Sequence, residues 1–247
     1  MRCGNCLSVG RATVGSVAEY RERASRLDRA VVWSRTMPAH TGPVTVFPDG
    51  CMDLIWTEGT LMVAGPDSRA FLTPSARASE FVGIRFAPGT APTLLGIPAV
   101  ELLNQRVDLA EIAPSRTTRE LVDLIDNAPD RVAALEAVAL RFAADNGAAD
   151  PALTAVVDSL SIGATVAETA AQTGMSARML HRRSLFAFGY GPKMLARILR
   201  FQRALAGLRT GTSAAQIAAV TGFADQAHLS REVRDLAGCS VRTLQTR

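Results

Sequence analysis

The sequence predicts an α+β protein, with a small antiparallel β/α domain at the N-terminus and an all-α domain behind it. Three observations predict this. Short β-favouring runs punctuated by Pro and Gly fill the front. Beyond Pro98 apolar residues recur at helical spacing. The last third contains an internal repeat of short helix, glycine turn and second helix. At 247 residues the chain has room for one large or two ordinary domains. Its 48% apolar and 20% charged residues fit a folded globular protein and argue against disorder. No apolar run reaches the roughly 20 residues of a membrane span, and no basic segment leads into an apolar core at the N-terminus. The expectation is a cytoplasmic protein with no membrane partner.

Taken in order, residues 1–19 are rich in Gly, Ser, Thr and Ala and read as a loose leader. Ala30 to Thr36, Val44 to Phe47, Met52 to Thr57, Leu61 to Ala64 and Phe81 to Phe86 read as strands of a small antiparallel sheet or barrel. Pro48-Asp49-Gly50, Glu58-Gly59 and Pro88-Gly89 supply the turns. Thr118 to Ile125 and Arg131 to Phe142 follow as amphipathic helices. Asp145-Asn146-Gly147 stops the second of these, and Asp150-Pro151 opens the next helix. The junction between a domain over 20–146 and one over 151–247 is placed there. Everything after it reads as helix.

Charge divides along the same line. Residues 151–247 hold 12 Lys/Arg against 5 Asp/Glu, a net of +7, whereas residues 1–150 carry a net of −3. A basic back end on a mildly acidic front points to a polyanionic partner for the former. Only Lys193 among the 27 basic residues is lysine. Arginine suits phosphate and guanine, although a GC-rich genome would give the same bias.

Cys3 and Cys6 have the spacing of half a zinc site. No second pair exists, and the histidines are only His40, His181 and His228, so no metal and no other cofactor is expected.

The repeat aligns residues 165–174 with 213–222 at an offset of 48. Each copy begins with Thr165 or Ser213, a preferred N-cap, followed three residues later by Glu168 or Gln216. Small pairs, Ala170-Ala171 and Ala218-Ala219, let a second helix cross closely. Gly174 and Gly222 end the first helix of each copy, and Ser176 to about Phe188 and Asp225 to about Ala237 form the second. After the turn the offset is 49, matching Leu180 with Leu229, Arg182 with Arg231 and Gly189 with Gly238. Two helix-turn-helix units are therefore joined by a linking helix from Lys193 to Leu208. On it Ile198, Leu199, Ala204, Leu205 and Leu208 face inward and Arg197, Arg200 and Arg203 are spaced for an outer face.

Three groups of residues resemble the AraC-type (AraC/XylS) transcriptional regulator family: Ser176-Ala-Arg178-Met-Leu180, Gly189-Tyr-Gly191-Pro192-Lys193, and Gly222-Phe223-Ala-Asp225-Gln226-Ala-His228-Leu229-Ser230-Arg231. The resemblance covers about residues 155–247. Pro48-Asp49-Gly50-Cys51-Met-Asp53-Leu-Ile-Trp56 and Gly83-Ile-Arg85-Phe86 also look like the front domain of an actinobacterial branch of such regulators. Two positions depart from the family pattern. Ser184 stands where a large apolar residue is usual, and Val241 replaces the proline of a Gly-x-x-Pro turn.

The resemblance implies a sequence-specific regulator, not an enzyme, whose second helices lie in successive major grooves of double-stranded DNA. It implies Ala177, Arg178, His181 and Arg182 as the DNA-facing residues of the first unit, and Asp225, Gln226, His228 and Arg231 as those of the second. Arg can take guanine O6 and N7 together, and Gln can pair with adenine. Bland readings stand beside these: Asp225 as an N-cap, Arg182 and Arg231 as phosphate contacts, the histidines as ordinary surface residues. Lys193, Arg197 and Arg200 meet either phosphates or acidic neighbours.

In the front domain Cys51 and Asp53 alternate on one strand and share a face. With Trp33, Trp56 and Arg85 they form a candidate effector pocket in a sensor or dimerisation domain, with both tryptophans in the core as the bland alternative. A small-molecule effector, RNA polymerase and a second copy of the chain are the further partners. Two other functional classes remain. One is an architectural DNA binder without a sensor; the other is a cysteine-based DNA-repair protein, which would carry a four-cysteine zinc site absent from this sequence.

Overall fold

In the computed structural model the strand alternation sorts the front half into two faces. It describes residues 19–39, 42–73 and 79–245, so residues 1–18 of the expected leader, Cys3 and Cys6 among them, and His40 lie outside the described residues, while Glu19 already belongs to a strand. Eight strands form: β1 (Glu19–Ala24), β2 (Val31–Met37), β3 (Thr45–Val46), β4 (Met52–Thr57), β5 (Thr60–Ala64), β6 (Phe71–Leu72), β7 (Ser79–Phe86) and β8 (Arg106–Asp108). Six make an antiparallel sheet in the order β1-β2-β7-β4-β5-β8, while β3 and β6 pair separately. The sheet is open, with β1 and β8 at its edges, so of the two shapes expected it is the sheet rather than the barrel.

Helices follow in the front half: α1 (Ala91–Leu95), α2 (Leu109–Ile112), α3 (Ser115–Asp126) and α4 (Arg131–Asn146). They cover one sheet face. Val32, Leu54, Trp56, Val82, Ile84 and Phe86 bury there against Leu94, Leu121, Ile125, Leu135 and Val138. The other face, which carries Trp33, Arg35, Asp53, Ile55, Met62 and Arg85, does not join that core.

β1 is a strand that the sequence reading missed. Glu-Tyr-Arg-Glu-Arg-Ala has no apolar run to signal it. It is held through the ladder to β2 and through Glu136 on α4, whose side chain is 2% exposed. Arg23 and Arg26 pair with that carboxylate, and Ser25 Oγ and the Arg26 N–H donate to it at 2.8 and 2.7 Å. Together they hold Glu136 at a pKa of about 2, against the penalty of burial.

The back half is helical throughout: α5 (Pro151–Ser161), α6 (Val166–Gln172), α7 (Ala177–Phe188), α8 (Pro192–Arg209), α9 (Ala214–Thr221), α10 (Gln226–Ala237) and α11 (Val241–Gln245). Asp150 caps α5, and Gly147 turns the preceding chain at positive φ, as the boundary signals require. Thr165 and Glu168 form the full capping box, while Ser213 caps α9 and also donates to Gln216 Oε1. One core spans both units around α8. It contains Leu160, Leu180, Phe188, Leu195, Ile198, Phe201, Leu208, Leu229, Val233 and Leu236.

The two halves are joined at several points. Arg29 forms a two-pronged pair with Asp158 at 2.6 and 3.0 Å. Gln202 Nε2 donates to the Pro48 carbonyl at 2.6 Å, the Ala70 N–H donates to the Leu236 carbonyl at 2.7 Å, and Phe47 meets Phe201 edge-on.

Candidate nucleic-acid interface and ligand cavity

The second helices of the two repeats are α7 and α10. Ser176 Oγ accepts from the Met179 N–H and starts α7, and Gly189 ends it at φ +80°. The buried face carries Leu180, Ser184, Ala187 and Phe188. That rotation leaves Ala177, Arg178, His181 and Arg182 exposed, all four on the early part of the helix. Lys193, just inside α8, is exposed as well.

In the second unit two of the four expected residues have partners within the unit itself. Asp225 is an N-cap, its carboxylate accepting the His228 N–H at 2.6 Å. His228 turns back on its own unit: Nδ1 accepts from the Ala224 N–H, and the ring stands edge-on to Phe223. Gln226 and Arg231 remain exposed, beside Ala227 and Arg234, and with Ser230 these line one shallow depression. Ala227, Ser230 and Arg234 were not singled out from the sequence, although their spacing with Gln226 and Arg231 puts them on one helical face.

Arg197 and Arg200 do not form an open basic face. Arg197 grips the buried Glu232 of α10 with two hydrogen bonds of 3.0 Å and also reaches Asp235. Arg200 lies 3.4 Å from Glu232, its guanidinium over the Phe223 ring. These two arginines found acidic neighbours rather than phosphates. They clamp the linking helix to α10, and the Arg197 pair holds the Glu232 carboxyl below its usual range against burial.

The sheet face turned away from the front core lines a cavity of about 550 Å³. Its far wall is α8, through Gln202, Leu205 and Arg209, and the short β3/β6 pair closes one side. Of the five pocket residues expected, Trp33, Cys51, Asp53 and Arg85 line it. Trp56 does not. It alternates onto the opposite face, is buried in the front core, and donates its indole N–H to Asp126 at 2.8 Å. Trp33 instead donates to Asp53 at 2.7 Å.

Arg85 is already occupied. It lies 3.4 Å from Asp53 and 3.7 Å from Asp49. Burial opposes its charge, but those two carboxylates hold the guanidinium well above its ordinary pKa. Burial in turn pushes the Asp49 carboxyl up, against the pull of Arg85. Arg106 is likewise engaged, with Asp67, at 3.0 and 2.6 Å. The cavity residues missed from the sequence include Arg35, Tyr20, Phe71, Phe81 and Arg209. Arg35 was within reach of the pattern, because it stands two residues beyond Trp33 on the same strand. Among the described residues no group of His, Cys, Asp and Glu has the arrangement of a metal site, and no helix is long and apolar enough to cross a membrane.

Residues 169–247 match the model of a helix-turn-helix domain family, HTH_18, and residues 29–108 match a domain of unknown function, DUF6597. No curated protein matches the chain. Among solved structures, a probable AraC family transcriptional regulator from Rhodopseudomonas palustris is 26% identical, over 40% of this chain and 97% of that one, with a TM-score of 0.36. ToxT from Vibrio cholerae O395 is 11% identical over 91% and 96% of the two chains, with a TM-score of 0.46. Unsaturated fatty acid bound ToxT from strain SCE256 is 12% identical over 90% and 96%, also at 0.46.

Proposed function

We propose, from the premise that residues 169–247 are an AraC-type helix-turn-helix domain, that this chain is a sequence-specific transcriptional regulator with an effector cavity in its front half. The observation that carries DNA recognition is the pair of capped units built around one helix. Each unit turns basic and polar side chains outward at the start of its second helix: Ala177, Arg178, His181 and Arg182 in one, Gln226 and Arg231 in the other. An interior α8 of 18 residues spans about 27 Å, so with its flanking turns it sets α7 and α10 about one DNA turn, roughly 34 Å, apart. One protomer then reads two short boxes about 10 base pairs apart, on the same side of the duplex.

The domain division at 146/151 follows the two separate apolar cores. The front unit serves as the sensor, because its sheet has one face committed to a core and the other to a cavity that α8 closes. RNA polymerase and a second copy are the macromolecules such a regulator meets at a promoter.

The test is a gel-shift series with the full chain and insertions between mapped boxes. An insertion of about 5 base pairs turns one box to the opposite face and should abolish tight binding, because α8 is clamped to α10 and cannot follow. A full-turn insertion restores facing but exceeds the reach of α8 and should fail as well. Equal affinity across the series would remove the two-groove reading.

A further inference from the structure

We propose that the front half supplies a phosphate contact of its own: Arg69, on the loop between β5 and β6, grips the DNA backbone beside the box that α10 reads. The inference rests on the reading of α10 as a recognition helix and extends it to a residue outside the helix-turn-helix domain.

The loop from Gly65 to Ala70 is fastened along its length. The Gly65 N–H donates to the Gln105 carbonyl at 2.9 Å, and the Pro66 carbonyl accepts from the Asn104 N–H at 2.9 Å. Gly65 is pressed so closely on the Leu102 carbonyl that a Cβ would fall 1.7 Å from its oxygen. Asp67 accepts two hydrogen bonds from Arg106, at 3.0 and 2.6 Å. Ser68 donates through its N–H and its hydroxyl to Asn104 Oδ1. At the far end the Ala70 N–H donates to the Leu236 carbonyl of α10 at 2.7 Å. The side chain of Arg69 is the exception. It is exposed, and among the described residues it takes part in no hydrogen bond, ion pair or ring contact.

Its neighbour fixes its place. Ala70 meets the last turn of α10 two residues beyond Arg234, about 3 Å along the helix axis. Gln226, Ala227, Ser230, Arg231 and Arg234 share the outward face of α10, and Arg231 and Arg234 are in no ion pair among the described residues. Arg69 therefore stands where that row of open cations runs off the C-terminal end of the helix. Two carboxylates flank this junction in sequence, Asp67 and Asp235, and each is paired elsewhere, with Arg106 and with Arg197. Helix capping does not account for the arginine either. The Leu236 carbonyl is served by the Ala70 N–H and the Arg234 carbonyl by the Gly238 N–H.

The chemistry of the partner follows. An unclaimed guanidinium beside a helix that lies in a major groove faces the phosphates of the groove wall, and its planar fork matches their oxygens. The loop is held before DNA arrives, so the contact adds little ordering cost on binding. A phosphate contact positions the protein and carries no base preference. This one also ties the front half to the duplex, from outside the matched residues 169–247.

The test uses the full chain and a fluorescein-labelled duplex carrying the mapped two-box site, followed by anisotropy over a salt series. Arg69→Gln should weaken binding about three- to tenfold near about 0.1 M salt and lower the slope of log affinity against log salt by about 0.9, the share of one phosphate. The preferred bases and the melting temperature should not change. Arg69→Lys should recover most of the slope. Arg116→Gln, which removes the same charge from the exposed side of α3, should leave affinity and slope as in the parent. Ethylation interference should place the contact: one phosphate beside the α10 box hinders the parent when ethylated and ceases to matter for Arg69→Gln.

Parent-like affinity and slope in Arg69→Gln would overturn the contact. So would an equal loss in Arg116→Gln, which marks a long-range effect of charge, or a changed base preference, which marks base readout. A parent that selects a site while Arg69→Gln binds it equally well contradicts this inference alone. A parent that binds no duplex removes the regulator reading and the contact together.

Discussion

Trp33 lies over Gly83, its direct partner across β2 and β7, so closely that a methyl group at position 83 would fall 2.2 Å from the indole ring. The glycine is what lets the indole settle against the sheet beside the cavity and donate its N–H to Asp53. Gly83→Ala should therefore force Trp33 out of place. Overpacking of this kind costs about 1–3 kcal/mol. The variant should show a lower melting temperature and a changed tryptophan emission. The effect should be reduced when Trp33 is also replaced by Leu.

Acid should loosen the front half through Glu136. Its folded pKa of about 2 lies below the ordinary 4.5. A depressed carboxyl stabilises the fold above its unfolded pKa and loses that contribution as pH falls through the folded value. At about 1.4 kcal/mol per pH unit the contribution reaches up to about 3 kcal/mol at neutral pH. Glu136→Gln should be less stable than the parent at pH 7, and the gap should close between about pH 4.5 and pH 2. Urea unfolding followed across that range would measure it; a gap independent of pH would contradict the assignment.

Much of the back half was legible because its signals are local. Caps, glycine turns and the repeat are each set by a few neighbouring residues, so α7, α8 and α10 fall within a residue or two of expectation. The front half was less so. The strands with apolar alternation, such as Met52–Thr57, could be read. β1 and the three-residue β8 could not, since their order comes from ladder partners and, for β1, from Glu136 more than 100 residues away. The site followed the same rule. Arg178, His181 and Arg182 are exposed as the helical spacing implies. Arg197, Arg200, His228 and Arg85 found partners from other elements, or from the turn beside them, that no spacing reveals. Trp56 falls on the face opposite Asp53, as the period of two along β4 requires, and so belongs to the front core rather than to the pocket.

Ser184 is fully buried, and its hydroxyl has no hydrogen-bond partner. Ser184 lies on the buried face of α7 with Leu180, Ala187 and Phe188, while Phe186 is exposed. Ser184→Ala should be neutral or raise stability by up to about 1 kcal/mol, because an unsatisfied buried hydroxyl is a net cost. Ser184→Phe should cost about 1–3 kcal/mol through overpacking. Thermal melts of both variants decide this, and a clear gain for Phe would show an unfilled space.

Glu232 should matter to DNA binding without touching DNA. Glu232→Gln removes the charge that Arg197 and Arg200 share and leaves two guanidinium groups side by side. We expect a loss of about 1–3 kcal/mol in stability and weaker binding to the two-box site. The dependence of affinity on salt should keep its slope or steepen, since no phosphate contact is lost. Lys193→Ala should do the reverse if its ammonium meets a phosphate, lowering the slope by about one with the melting temperature unchanged.

The account depends most on each helix-turn-helix unit reading its own box. Selection of bound sequences from a random duplex library should be run with the full chain and with Arg178→Ala and Arg231→Ala. The parent should select two boxes about 10 base pairs apart. Arg178→Ala should relax the preference in one box only, and Arg231→Ala in the other only, each by about 1–3 kcal/mol at a single base pair. A single selected box, or two variants that relax the same one, would contradict the account.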